Sequence, residues 1–220
     1  MDLNNLFEKN HDSIIIKYVP ADTLRQFHKE TYPSFNVPID IRDVVFNLRK
    51  AYGYDLRDVN IIAFFGTSKK NGEYSNWYPC DLDIDGMYFN CVEQYMMWSK
   101  ASMFGDKEIA NQILSSNNPR EMKMLGRKVR NFDAARWNAS SYDVVLKACK
   151  VKFSEQNPDL HEMIMNEEFP TFIETSPYDT LWGIGVDKSY AYIRDMRYWK
   201  GKNKLGRVLT EVWDYYNSEV

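Results

Sequence analysis

The stretch Asn90 to Gly105, NCVEQYMMWSKASMFG, constrains this chain more than any other. Glu93, Met96, Met97, Lys100 and Phe104 recur at spacings of three, four, seven and eleven, so a helix gathers them on one face. With that face turned inward, a carboxylate and an ammonium enter apolar surroundings two turns apart, roughly 10 Å of axial rise. Charged groups in such a place need partners or a ligand. A local explanation competes: Asn90 and Glu93 stand at capping-box spacing, and Lys100 can send its ammonium to water along its apolar stem.

A helix of this kind needs a core to enter. The chain has 220 residues, 44% of them hydrophobic and 15% aromatic, enough for one sizeable core or for a domain with an appendage. A net charge of -3 and a pI near 5.7 argue against broad attachment to nucleic acid or anionic membrane, and favour a small or locally held partner. Cys80, Cys91 and Cys149, like His11, His28 and His161, are scattered without metal-ligand spacing, so neither a metal site nor a disulfide framework is expected. That cysteine usage, the lack of a signal-like start and the lack of a membrane-length apolar run predict a cytoplasmic protein with no membrane partner.

Residues 1–58 read as an N-terminal extension that offers no chemistry. Ile14 to Val19 predicts a strand, and Ala21 to Thr31 and Ile41 to Tyr52 predict helices. From Val59 the character changes. Asn60 to Gly66 (NIIAFFG) predicts a buried strand, and Asp81 to Phe89 a hairpin around Asp85-Gly86. Between them YSNWYP sets Ser75 and Asn76 among aromatics, a composition that suits a pocket stacking a base and binding ribose hydroxyls, or simply a satisfied turn.

The remainder reads as mainly helical. Asn118-Pro119-Arg120-Glu121 starts a helix to about Arg130, whose Arg127, Lys128 and Arg130 suit either phosphate or the negative end of the helix dipole. Arg136 and Trp137 precede a helix from Tyr142 to Gln156, Pro158 opens a short one, and Leu205 to Val212 define a closing one. Phe172 to Gly185 (FIETSPYDTLWGIG) reads as a polar and aromatic loop. GxxxxGK, GxGxxG, HExxH and GxSxG are all absent, which counts against ATP-driven, hydride-transfer and serine-hydrolase chemistry.

The ordered set YSNWYP, VEQYMMWSKA, ARW, VKF, SPYDTLWGIG and KGKNKLGRVL resembles the NADAR superfamily, also called the YbiA-like family, from about Ile61 to Val212. The resemblance implies a compact α+β fold, mainly α-helical with a small strand component, and divides the chain into the extension 1–58 and a catalytic domain 59–220. It implies an N-glycosidase that hydrolyses the ribose C1'-N bond of an ADP-ribosylated base such as guanine, free or within nucleic acid, or of a ribosylamine phosphate. Two alternatives stand beside that: a hydrolase confined to early riboflavin-pathway intermediates, and a non-catalytic ADP-ribose or NAD binding module. No cofactor is implied.

Carried over by motif, the resemblance makes Glu93, Lys100 and Asp179 the expected catalytic groups. Trp137, Trp182 and Asn203 fall on other recurrent positions, and Ser75, Asn76 and Arg127 complete the expected substrate-binding set. Cutting a ribose C1'-N bond builds positive charge on the sugar, which a carboxylate such as Glu93 stabilises or whose capture by water it assists. Asp179 offers a second carboxylate, and Lys100 offers an amine able to exchange into an opened ribosylamine as a Schiff base. The tryptophans suit stacking on the ligand and core packing alike. Val186 to Trp199 matches a segment whose length varies within the family.

Overall fold

The computed structural model describes residues 7–10, 13–16, 41–51, 56 and 60–217. The chain separates into two units, one of 1–58 with 189–199 and one of 59–188 with 200–220. In the first, β1 (Phe7–Asn10) and β2 (Ser13–Ile16) pair antiparallel, Phe7 opposite Ile16. Helix α1 (Ile41–Ala51) packs its Phe46 ring near Trp199, and Lys50 Nζ donates to the Trp199 carbonyl at 2.5 Å. The predicted helix at 21–31 lies outside the described residues.

The second unit carries the main core. Its strand β3 (Asn60–Phe64) is a short apolar run, and β4 (Leu82–Ile84) and β5 (Met87–Phe89) form the expected hairpin. Asp85 and Gly86 both take positive φ, 55° and 77°, as a tight two-residue turn requires. Helices α2 (Val92–Met103), α3 (Lys107–Leu114), α4 (Pro119–Gly126), α5 (Ala134–Lys152) and α6 (Pro158–Met165) follow, then β6 (Pro170–Glu174) and α7 (Lys204–Asn217). The fold is mainly helical with a small strand component, and no helix among the described residues is long and apolar enough to cross a membrane.

Helix α2 sits at the centre, packed on α3, α4 and α5. Its first two turns, Val92 to Met97, are buried on every side, which is wider burial than a single inward stripe predicts. Gly126 ends α4 directly against it: a Cβ there would stand 2.1 Å from Met97 Sδ, so a larger residue would force the Met97 side chain to move.

Three boundaries differ from expectation. Helix α4 stops at Gly126 rather than near Arg130, because the Arg130 backbone N–H and guanidinium both turn to Asp106, the N-cap of α3. Helix α5 begins eight residues before Tyr142, since the Asp133 side chain accepts the Arg136 N–H and caps it; Arg136 and Trp137 therefore lie inside the helix. The supposed loop from Phe172 opens as strand: β6 runs parallel to β3 with Ile62 opposite Phe172. Pro170, Phe172 and Ile173 are buried in that strand, whose pairing is too distant in sequence for local pattern to reveal.

Candidate active site

Glu93 stands in the first turn of α2, and it does not close a capping box with Asn90. Cys91 is the N-cap, and Gln94 takes the local work: its Oε1 accepts the Asn90 N–H at 2.8 Å, and its Nε2 donates to the carbonyls of Ile113, Leu114 and Ser116. The Asn90 side chain donates to the Ser116 carbonyl and Asn117 Oδ1. Gln94 thus satisfies the helix start, and the neighbouring carboxylate is left to another environment.

That environment is built by the YSNWYP turn. Ser75 Oγ accepts the Trp77 N–H at 3.2 Å, while the ammonium of the fully buried Lys152 donates to the Ser75 carbonyl at 2.8 Å. The turn so held brings the Asn76 carbonyl to the Glu93 N–H at 3.0 Å and the Trp77 indole N–H to Glu93 Oε2 at 3.2 Å. The other carboxylate oxygen, Oε1, and Asn76 Oδ1 are shielded from water and have no hydrogen-bond partner. A buried acceptor without a donor costs about 1–3 kcal/mol, more if charged, so a fold retaining two of them on residues joined by a backbone hydrogen bond invites a ligand.

Charge accounts for the rest of the cluster. Burial pushes the Glu93 carboxyl up to about 7; Lys123, the Trp77 hydrogen bond and Arg127 oppose that rise, and Asp179 adds to it. Asp179 is fixed by its own loop, with Oδ1 accepting the N–H groups of Leu181 at 3.0 Å and Trp182 at 2.8 Å, and its Oδ2 lies 3.5 Å from Lys123 Nζ. Glu174, the last residue of β6, has its carboxyl pushed up to about 8 by burial, with Asp179 and Glu93 adding and Lys123 opposing. Lys123 therefore pairs with Asp179 and acts electrostatically on two further acids from separate elements, Glu93 and Glu174.

Exposure falls along this group. The Lys123 side chain is 40% exposed, that of Asp179 23%, and Glu93 as a whole 5%. The polar wall therefore descends from a solvent-facing ion pair to a buried acid. Two cavities, one beside β3 and β6 and one beside Cys80 and Asn157, are not lined by these residues.

The remaining expected site residues divide by location. Arg127, just past α4, acts electrostatically on Glu93 and also on Lys100. Lys100 Nζ donates to the Gly126 carbonyl at 2.7 Å and lies 4.0 Å from the Phe132 ring centre; burial, then Arg127, holds its ammonium below the ordinary lysine range. Trp137 and Trp182 are buried in the main core. Asn203 spends both ends of its amide on β6, accepting from the Glu174 N–H at 3.0 Å and donating to the Phe172 carbonyl at 2.9 Å. Arg130 is committed to Asp106 and Glu108, which removes it from the phosphate-ready cluster.

Sequence reasoning passed over Trp77, Lys123 and Glu174. Trp77 is the next residue after Asn76 in a motif already singled out, Glu174 lies within FIETSPYD, and Lys123 falls four residues before Arg127, at same-face spacing for a helix.

Comparison with known proteins bears on the family and the fold. Residues 63–215 match the family model described as the NADAR domain. Protein irg-1 of Caenorhabditis elegans is 44% identical over 155 residues, covering 63% of this chain and 73% of that protein. N-glycosidase R617 of Acanthamoeba polyphaga mimivirus is 35% identical over 159 residues, 69% of this chain and 93% of that protein. The NMR structure of the Escherichia coli protein YbiA superposes with a TM-score of 0.60 at 26% identity, covering 73% of this chain and 86% of that one.

Proposed function

Because the chain belongs to the NADAR domain family, we propose that it is a hydrolase of N-glycosyl compounds that cuts a ribose C1'-N bond, with Glu93 as the carboxylate facing C1'. The observation that carries this reading is Glu93 Oε1, a buried carboxylate oxygen with no partner, together with a second unpartnered acceptor, Asn76 Oδ1, on the residue whose backbone carbonyl accepts the Glu93 N–H. As the C1'-N bond breaks, its electron pair leaves with the base nitrogen and positive charge develops on the sugar. An ionised Glu93, steadied by the Trp77 indole N–H, stabilises that charge. A water then adds its oxygen to C1' and passes its proton to Glu93.

The substrate is a nucleotide-like small molecule, and ADP-ribosylated guanine or a ribosylamine phosphate suits the site best. Lys123 and Arg127 bring positive charge for phosphoryl or hydroxyl oxygens, and Asp179, clamped by two backbone N–H groups, orients a ribose hydroxyl. Lys100 supports a second route. A partly buried amine beside Arg127 and held below its usual range is the kind that exchanges into a ribosylamine as a Schiff base. Comparing kcat/KM for ADP-ribosylated guanosine with that for pyrimidine ribosylamine phosphates tests the reading. Turnover of either supports it, the larger value names the substrate class, and turnover of neither refutes it.

A further inference from the structure

Glu174 is the acid to which the mechanism above gives no task. Its main chain is pinned from two sides: the N–H donates to Asn203 Oδ1, and the carbonyl accepts from the Ile184 N–H at 2.9 Å. Its Oε2 is shielded from water and has no hydrogen-bond partner. The charged groups acting on it come from three elements: Asp179 on the following loop, Lys123 on α4 and Glu93 on α2.

These acids differ in what donates to them. Glu93 receives the Trp77 indole N–H, which favours its ionised form, and Asp179 receives two backbone N–H groups and pairs with the Lys123 ammonium. No described group donates a hydrogen bond to Glu174 Oε2. Glu93 and Glu174 are buried carboxyls that act on each other and do not both ionise cheaply, so a proton settles on the one whose anion is less supported.

We propose that Glu174 is a catalytic acid, the carboxyl group that hands its proton to the departing base nitrogen. The proposal rests on the N-glycosidase reading and divides its labour. The C1'-N bond breaks, the electron pair goes to nitrogen, and the Glu174 proton forms the new N–H bond. Water supplies oxygen to C1' and its proton to Glu93, and exchange with solvent then returns one proton to Glu174 and removes one from Glu93. A substrate consequence follows: the acid matters for bases that leave through an amine or amide nitrogen, and is idle for a pyridinium base, which departs neutral without a proton.

Two probes share ADP-ribose and differ in that respect, ADP-ribosylated guanosine and NAD. Glu174→Gln is expected to slow the first roughly hundredfold or more, in the range of acid catalysis, while hydrolysis of NAD stays within about tenfold. In the unsubstituted protein, kcat/KM for the guanosine probe should fall above pH about 8, where burial and Asp179 place the Glu174 titration, and the NAD rate should lack that fall. This second measurement decides the matter even where Glu174→Gln does not fold. Equal losses on both probes with an unchanged melting temperature, an unchanged guanosine rate, or the same alkaline fall for both probes would overturn the assignment. A protein that hydrolyses neither probe fails the N-glycosidase reading itself, a result distinct from any of these.

Discussion

Replacing Glu93 with Gln should make the protein more stable and nearly inactive at once. Burial raises the carboxyl from 4.5 to about 7, so the folded state resists ionisation that the unfolded chain accepts. The sign follows from linkage. Between pH 4.5 and 7 the native state holds more protons than the unfolded one, so this group lowers stability as pH rises, and the loss is complete above about pH 7. A shift of this size corresponds to about 3 kcal/mol. The Gln side chain keeps the volume and carries no charge to desolvate. Glu93→Gln should therefore gain up to about 3 kcal/mol at pH 8, and the gain should vanish near pH 4.5. Urea denaturation at the two pH values measures the difference. In parallel, kcat/KM for ADP-ribosylated guanosine should fall by about 10³-fold, roughly 4 kcal/mol of lost transition-state stabilisation. A variant that is less stable at pH 8, or that retains full activity, would refute the reasoning.

Trp77→Phe removes the indole N–H that favours ionised Glu93, so the acidic limb of the kcat/KM profile should move to higher pH; an unmoved limb would detach Trp77 from the site. Asn203→Ala leaves the Glu174 N–H and the Phe172 carbonyl unpaired and places a plain side chain at φ 49°, which should cost about 2–4 kcal/mol by chemical denaturation; a loss under about 1 kcal/mol would contradict the clamp. Borohydride added during turnover of a ribosylamine phosphate should trap a covalent adduct that Lys100→Arg lacks, seen by intact-mass spectrometry. An undiminished adduct in that variant would assign the amine elsewhere.

The central helix, the Asp85-Gly86 hairpin and the closing helix were legible because each is written in local spacing and turn chemistry. Asp179 and Trp182 were legible through their shared motif, and the structure joins them by a backbone N–H to a carboxylate oxygen. The rest depends on contacts between distant residues. Nothing near Phe172 announces its pairing opposite Ile62, so Glu174 read as a loop acid rather than the end of a strand. Lys123 looks like any helix-surface lysine until Gly126 lets α4 close on Met97 of α2. Asn90 and Glu93 match a capping box by spacing, yet the longer reach of Gln94 into three carbonyls wins that position. Spacing reports which residues share a face; it does not report which of two adjacent polar residues a distant loop will satisfy.

The central claim is tested most directly by identifying the products of ADP-ribosylated guanosine under single turnover. Mass spectrometry should find guanosine and ADP-ribose in equal amounts from the unsubstituted protein and neither from Glu93→Gln. Cleavage at the diphosphate instead, giving adenosine monophosphate, or equal yields of guanosine from both proteins, would contradict the account.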